Sequence, residues 1–222
     1  MTTEPTGFLY PFIDAEERDA TRLLADLAAS ARAKMADSRA LRTATLQDRA
    51  GQVQRAAEAM AERFGKGGRL LAFGNGGSAT DAQQLATLFL NPGGDARPLP
   101  ALGLAADTSV VTALCNDIGV DVVFARQIAA FGRRNDIAVG LSTSGNSDNL
   151  LRAFDEASRR GLLTIGFAGY QGGKMAEMDS IDYLFVAPSS SVHRIQEAQT
   201  TVYHILWELT LAELGRAGAV AR

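Results

Sequence analysis

The sequence predicts an α/β fold: a five-stranded parallel sheet flanked by helices, preceded by two N-terminal helices and closed by a long C-terminal helix. Three observations carry this. Between residues 69 and 188, short and nearly continuous apolar runs alternate with stretches of helical periodicity, the pattern of parallel strands buried on both faces. Before residue 69, apolar residues recur at helical spacing with no strand pattern among them. A chain of 222 residues with 46% hydrophobic content is long and apolar enough to bury a core, which excludes general disorder.

The elements follow in order. Residues 1 to 13 read as a leader, residues 14 to 214 as a single domain and residues 215 to 222 as a tail. Ala15 to Met35 places Leu23, Leu24, Leu27 and Ala28 on one helical face, and about Ser38 to Phe64 does the same with Leu41, Leu46, Val53, Ala56, Ala57, Met60 and Phe64, stopped by Gly65, Gly67 and Gly68. The strands are RLLAF at 69 to 73, PALGLA at 100 to 105, IAVGL at 137 to 141, LLTIGFA at 162 to 168 and YLFVAP at 183 to 188. Helices fit between them at about 79 to 90, 109 to 131, 147 to 160 and Gly173 to Met178. A last amphipathic helix spans about Arg194 to Leu214, with Ile195, Val202, Ile205, Leu206, Leu209 and Leu211 on its apolar face.

Composition removes several classes of function. The 22 Lys and Arg against 25 Asp and Glu leave a formal net charge of −3, so no excess of positive charge suits nucleic acid. No run of about 18 apolar residues is present to cross a bilayer. The N-terminus lacks the basic start and apolar core of a secretory signal, which predicts a cytoplasmic protein. Cys115, the single cysteine, reads as a small core residue in a reducing compartment. The only histidines, His193 and His204, lie near the C-terminal end.

Ligands of open parallel sheets bind at the carboxyl ends of strands, where helix N-termini present unpaired N–H groups. After the first strand comes Gly74-Asn75-Gly76-Gly77-Ser78-Ala79-Thr80-Asp81, whose glycines allow close backbone approach while Asn75 and Ser78 add side-chain donors. Gly74, Gly76 and Ala79 also satisfy G-x-G-x-x-A, but the acidic residue that a dinucleotide site needs at the end of the second strand is misplaced, with Asp95 before that strand and Asp107 too distant. After the third strand, Ser142, Thr143, Ser144 and Ser147 surround Gly145 at a helix N-terminus, a set of hydroxyls suited to a phosphate dianion. Ser147 is also placed to cap that helix. No G-K-[ST] lysine follows, which turns the reading from nucleotide triphosphates toward a small phosphorylated molecule.

The segments GNGGSATDAQ (74 to 83), ADTSVVTALCND (106 to 117), STSGNSDNLLRAF (142 to 154), GGKMAEM (172 to 178) and RIQE (194 to 197) together resemble the sugar isomerase, or SIS, family, and within it the phosphoheptose isomerases, over roughly residues 40 to 212. The resemblance implies a flavodoxin-like parallel sheet, a homotetramer with sites shared between subunits, and conversion of sedoheptulose 7-phosphate to an aldoheptose 7-phosphate through an enediol. It implies that Ser142, Thr143, Ser144 and Ser147 hold the phosphate. Asn75, Gly76 and Ser78 would contact the sugar, with Asp107, Thr108, Asn116 and Asp117 also lining the pocket.

Members of that family commonly bind zinc through a His and a Glu four residues apart in D-A-x-H-F-A-x-E-L, and through a Gln and a His on the last helix. The second pair is present as Gln196 and His204, eight residues and about 80° apart at roughly 100° per residue. The first pair is replaced by Gln84 and Leu88, and Asn91-Pro92-Gly93-Gly94 stands where an arginine commonly follows. An amide is a poor zinc ligand and leucine neither ligates nor transfers a proton, so two of the four usual ligands are missing and no cofactor is assigned. His204 is the candidate acid or base, Gln196 a candidate substrate contact, and Asp81, Asp107 and Asp117 are candidates to replace the missing carboxylate.

Three functions remain in competition: a metal-independent or differently metallated ketose–aldose isomerase, a non-catalytic sugar-phosphate sensor or scaffold like the relatives that associate with the bacterial replication initiator, and a nicotinamide oxidoreductase through the glycine motif.

Overall fold

The computed structural model describes residues 20–47 and 49–220, so the leader expected at 1 to 13 lies outside the described residues. The chain divides into a unit of residues 1–37 and a main unit from Ser38 onward, and the site belongs to the second. The elements are α1 (Ala20–Leu46), α2 (Ala50–Gly65), β1 (Leu70–Gly74), α3 (Gly77–Leu90), β2 (Ala101–Gly103), α4 (Thr108–Asp117), α5 (Val123–Phe131), β3 (Ile137–Leu141), α6 (Asp148–Arg159), β4 (Leu163–Gly169), β5 (Tyr183–Ala187) and α7 (Val192–Val220).

All five strands pair in parallel, in the order β2-β1-β3-β4-β5. Every residue of β1, β3 and β4 is buried, as the unbroken apolar runs predict for strands covered on both sides. Successive side chains feed two cores. Leu70, Ala72, Ile137, Val139 and Leu141 pack with α2, α3 and α7, whereas Leu71, Phe73 and Ala138 pack with α5, α6 and partly buried residues of α4. At the amino edge, the buried Asp136 carboxylate accepts from the backbone N–H of Arg69 at 3.0 Å and of Arg133 at 2.9 Å, and pairs with the Arg69 guanidinium at 3.2 Å. That cluster fixes the register in which β1 and β3 begin.

Several boundaries differ from expectation. The helix expected to stop at Met35 continues through 36–38, where the sequence holds no glycine or proline to end it, and the break comes after Leu46. The single helix expected over 109 to 131 is two, because Gly119 adopts φ 109° and turns the chain through a short 3₁₀ segment at Val120–Val122. Residues Gly173–Glu177 form a 3₁₀ turn. The second strand is only three residues long and leaves Leu102 exposed at the sheet edge. Cys115 is half-buried against the second core rather than enclosed by it.

Gly140 in β3 lies between Phe73 and Phe154, whose rings are 5.3 Å apart, and a Cβ at that position would stand 2.5 Å from Phe154 and 2.7 Å from Phe73. Gly140→Ala should therefore overpack this core and lower the unfolding free energy by about 1–3 kcal/mol, read from urea denaturation midpoints at unchanged slope.

Candidate functional site

β1 and β3 are neighbours in the sheet, yet the chain leaves them in opposite directions, β1 leading through α3 to β2 and β3 through α6 to β4. This is the switch point at which a crevice opens outside the carboxyl ends of the strands. The glycine-rich and serine-rich loops are the segments that leave these two strands. They are clamped together by a reciprocal amide pair: Asn75 Nδ2 donates to Asn149 Oδ1 and Asn149 Nδ2 donates to Asn75 Oδ1, both at 2.9 Å. Asn75, assigned from sequence to the sugar, thus has one amide hydrogen and part of its carbonyl committed to holding the loops in register.

In the serine-rich loop, Ser142 Oγ accepts from the Gly145 N–H at 3.0 Å and Ser144 Oγ accepts from the Asn146 N–H at 3.2 Å. A hydroxyl oxygen fixed in this way still has its hydrogen to donate to an anion. Ser147 occupies the N-cap position of α6, but its hydroxyl makes no capping bond. The first-turn N–H groups of α6 add their dipole to the same place. Gly145 has φ 69°, and a Cβ there would fall 2.0 Å from the Gly172 carbonyl oxygen, so glycine is required by both conformation and space. Ser78 is buried in the first turn of α3, and Gly76 immediately precedes that helix with φ 55°.

α7 faces both loops with residues at helical spacing. Gln196 Nε2 donates to Asp81 Oδ2 at 3.3 Å, the Tyr203 hydroxyl donates to Asp81 Oδ1 at 3.5 Å, and the buried Gln199 donates from Nε2 to the Ser142 carbonyl at 2.8 Å. His204 is half-buried and stacked on Tyr203 with ring centroids 4.9 Å apart. Its Nδ1 lies 2.8 Å from the Thr200 carbonyl, which can only accept, so Nδ1 carries a proton and, in the neutral ring, Nε2 holds the lone pair.

The three candidate carboxylates differ. Asp107 caps α4, with Oδ1 accepting from the Ser109 and Val110 N–H groups, and Asp117 accepts from its neighbour Asn116 at 2.9 Å. Both are exposed, as is Thr108 at the start of the same helix. Asp81 is the one joined to Gln196. Burial pushes its carboxyl above the ordinary carboxylate value, against hydrogen bonds from Gln196, Tyr203 and Thr200 that favour the ionised form. Tyr203 is raised too, by its own burial first and by the charge of Asp81.

The zinc site implied by the resemblance does not fit these residues. Leu88 packs against the first core, Gln84 is an exposed amide, and the amide nitrogen of Gln196 faces Asp81. Among the described residues no group of three or more His, Cys, Asp or Glu could hold a metal ion.

The SIS-domain family model matches residues 35–169, more than half of the chain. The chain belongs to the SIS-domain family. A phosphoheptose isomerase of Burkholderia pseudomallei is 40% identical over 195 residues, covering 86% of this chain and 93% of that protein. One from Thermodesulfovibrio yellowstonii is 44% identical over 158 residues, covering 71% and 78%. The structure of phosphoheptose isomerase from Neisseria gonorrhoeae superposes with a TM-score of 0.76 at 36% identity, covering 82% of this chain and 97% of that one.

For this SIS-domain chain, the roles of Asn149, Gln199 and Tyr203 were missed in the sequence. Asn149 carried a signal, a polar residue in the first turn of a helix that follows the serine loop, but only the adjacency of β1 and β3 reveals its partner. Asn149→Ala should cost about 1–3 kcal/mol in urea denaturation, since two hydrogen bonds are lost together. The raised Asp81 carboxyl means that the folded protein holds a proton that the unfolded chain has already released, so its ionisation lowers stability as pH rises. Asp81→Asn should accordingly gain stability relative to the parent as pH rises from about 4 toward neutrality, followed by denaturation at a series of pH values.

Proposed function

We propose that this chain binds a phosphorylated sugar at the carboxyl edge of β1 and β3 and interconverts its ketose and aldose forms, with sedoheptulose 7-phosphate as the substrate to test first. The observation that supports this reading is the contact of the hydroxyl-lined loop 142–147 with α7, through Gln199 and the Ser142 carbonyl, on the helix that also bears Gln196 and His204. The phosphoheptose isomerases among its relatives support the choice of chemistry.

Ketose–aldose interconversion removes a proton from C1, passes through an enediol, returns a proton to C2 and moves one between the two oxygens. We assign the carbon-bound proton to His204 Nε2, whose lone pair is left available by the bond from Nδ1–H to Thr200. Asp81 takes the second acid–base role in place of the carboxylate that Leu88 removes, its raised affinity for a proton suiting exchange nearer neutrality. Ser142, Thr143, Ser144 and Ser147 hold the phosphate, and Gly76, Ser78 and Asn75 face the sugar chain. Asp107 and Thr108 line the α4 side. The protein acts as a homotetramer, and the exposed Leu23, Leu24 and Leu27 of α1 supply an apolar seam for assembly.

Incubation with sedoheptulose 7-phosphate should yield an aldoheptose phosphate without added zinc. His204→Gln should lower kcat by about 10²–10⁴ while leaving substrate affinity within a few-fold, and Ser144→Ala should weaken affinity. Binding with no turnover across five- to seven-carbon ketose phosphates, with or without zinc, would replace catalysis by sensing.

A further inference from the structure

The motif GGKMAEM at 172 to 178 contributes to the family resemblance but has no part in the chemistry above. The structure lays it against the serine-rich loop. The Met175 N–H donates to the Gly145 carbonyl at 3.0 Å, and the Lys174 N–H donates to Asn146 Oδ1 at 2.9 Å. Gly173 lies so close that a Cβ there would stand 2.4 Å from the Ser144 carbonyl oxygen. The main chain of Lys174 is thereby fixed beside the loop. Its ammonium reaches Asp148 Oδ1 at 3.4 Å, in the first turn of the helix whose N-terminus faces the crevice.

This ion pair is more than half exposed on both sides, and exposed pairs add little to stability. Its value lies in where the charges stand. Asp148 presents a carboxylate beside the place where a phosphate brings up to two negative charges, and like charges at such range oppose binding. The loop offers only neutral donors, N–H and O–H, and carries no charge of its own to offset that repulsion. P-loops meet the same need with a lysine from the helix that follows the loop. Here a lysine is delivered from the next strand's exit.

We infer that Lys174 is the cationic member of the phosphate site, neutralising Asp148 in the ligand-free protein and sharing its ammonium between Asp148 and the phosphoryl group once the sugar phosphate is bound. Two consequences follow from the charge balance. The site discriminates for the phosphate dianion over the unphosphorylated sugar, and its affinity falls with ionic strength by an increment that belongs to Lys174. The inference rests on the reading of loop 142–147 as the phosphate site.

Calorimetric titration of the full-length protein with sedoheptulose 7-phosphate, at two salt concentrations, tests it. Lys174→Met should weaken binding about tenfold at low salt and flatten the salt dependence, Lys174→Arg should stay within about threefold of the parent, and the double variant Lys174→Met/Asp148→Asn should recover at least half of the loss on a logarithmic scale. Melting temperatures of all variants should match the parent, which separates charge from folding. A Lys174→Met protein with the parent's affinity and salt dependence overturns the assignment, and so does a double variant that recovers nothing. A parent protein that binds no sugar phosphate overturns the phosphate site itself, an outcome distinct from failure of the Lys174 variants alone.

Discussion

The paired amides of Asn75 and Asn149 are the contact on which the geometry of the crevice depends. β1 and β3 are parallel neighbours whose chains depart toward opposite ends of the sheet, so their exit loops have no covalent reason to stay together. The reciprocal hydrogen bonds tie them to each other directly. With that tie in place, the first turns of α3 and α6 hold a fixed separation, and donors from two distant parts of the sequence act as one surface. The Arg69–Asp136 cluster does the corresponding work at the amino edge, so the central strands are held at both ends.

α7 completes the arrangement from the side of the first core. Its apolar residues Ile195, Val202 and Leu206 are buried, while Gln196 and Tyr203 reach Asp81 and Gln199 reaches the serine-rich loop with their polar atoms. One helix thus anchors the sheet and addresses both loops. On α3, Leu88 packs against the hydrophobic core, and Gln196 of α7 has Asp81 as its partner.

Much of this was legible in the sequence for physical reasons. Buried parallel strands need unbroken apolar runs, and β3 and β5 announce themselves almost to the residue. Glycine and serine just after a strand mark places where backbone and ligand come close. Helix ends were less legible: the chain at Met35 contains no residue that would stop a helix, so periodicity alone could not locate the break beyond Leu46. The split at Gly119 carried a signal that the surrounding apolar pattern obscured. Contacts such as Tyr203 with Asp81, 122 positions apart, depend on the strand order and lie beyond any local pattern. The same holds for Lys174, whose relevance follows from the packing of one loop on another rather than from the residues that flank it.

The helix α4 has a capped N-terminus but no fully buried residue, in contrast to α3 and α6 on either side of the crevice. Few apolar contacts oppose its local opening, so its amides should belong to the low-stability end of the molecule's exchange spectrum while the central strands belong to the other. α4 is therefore softer than the two helices that flank the crevice. A ligand that engages α4 must reduce that helix's conformational entropy, and the order it imposes offsets part of the attraction it gains.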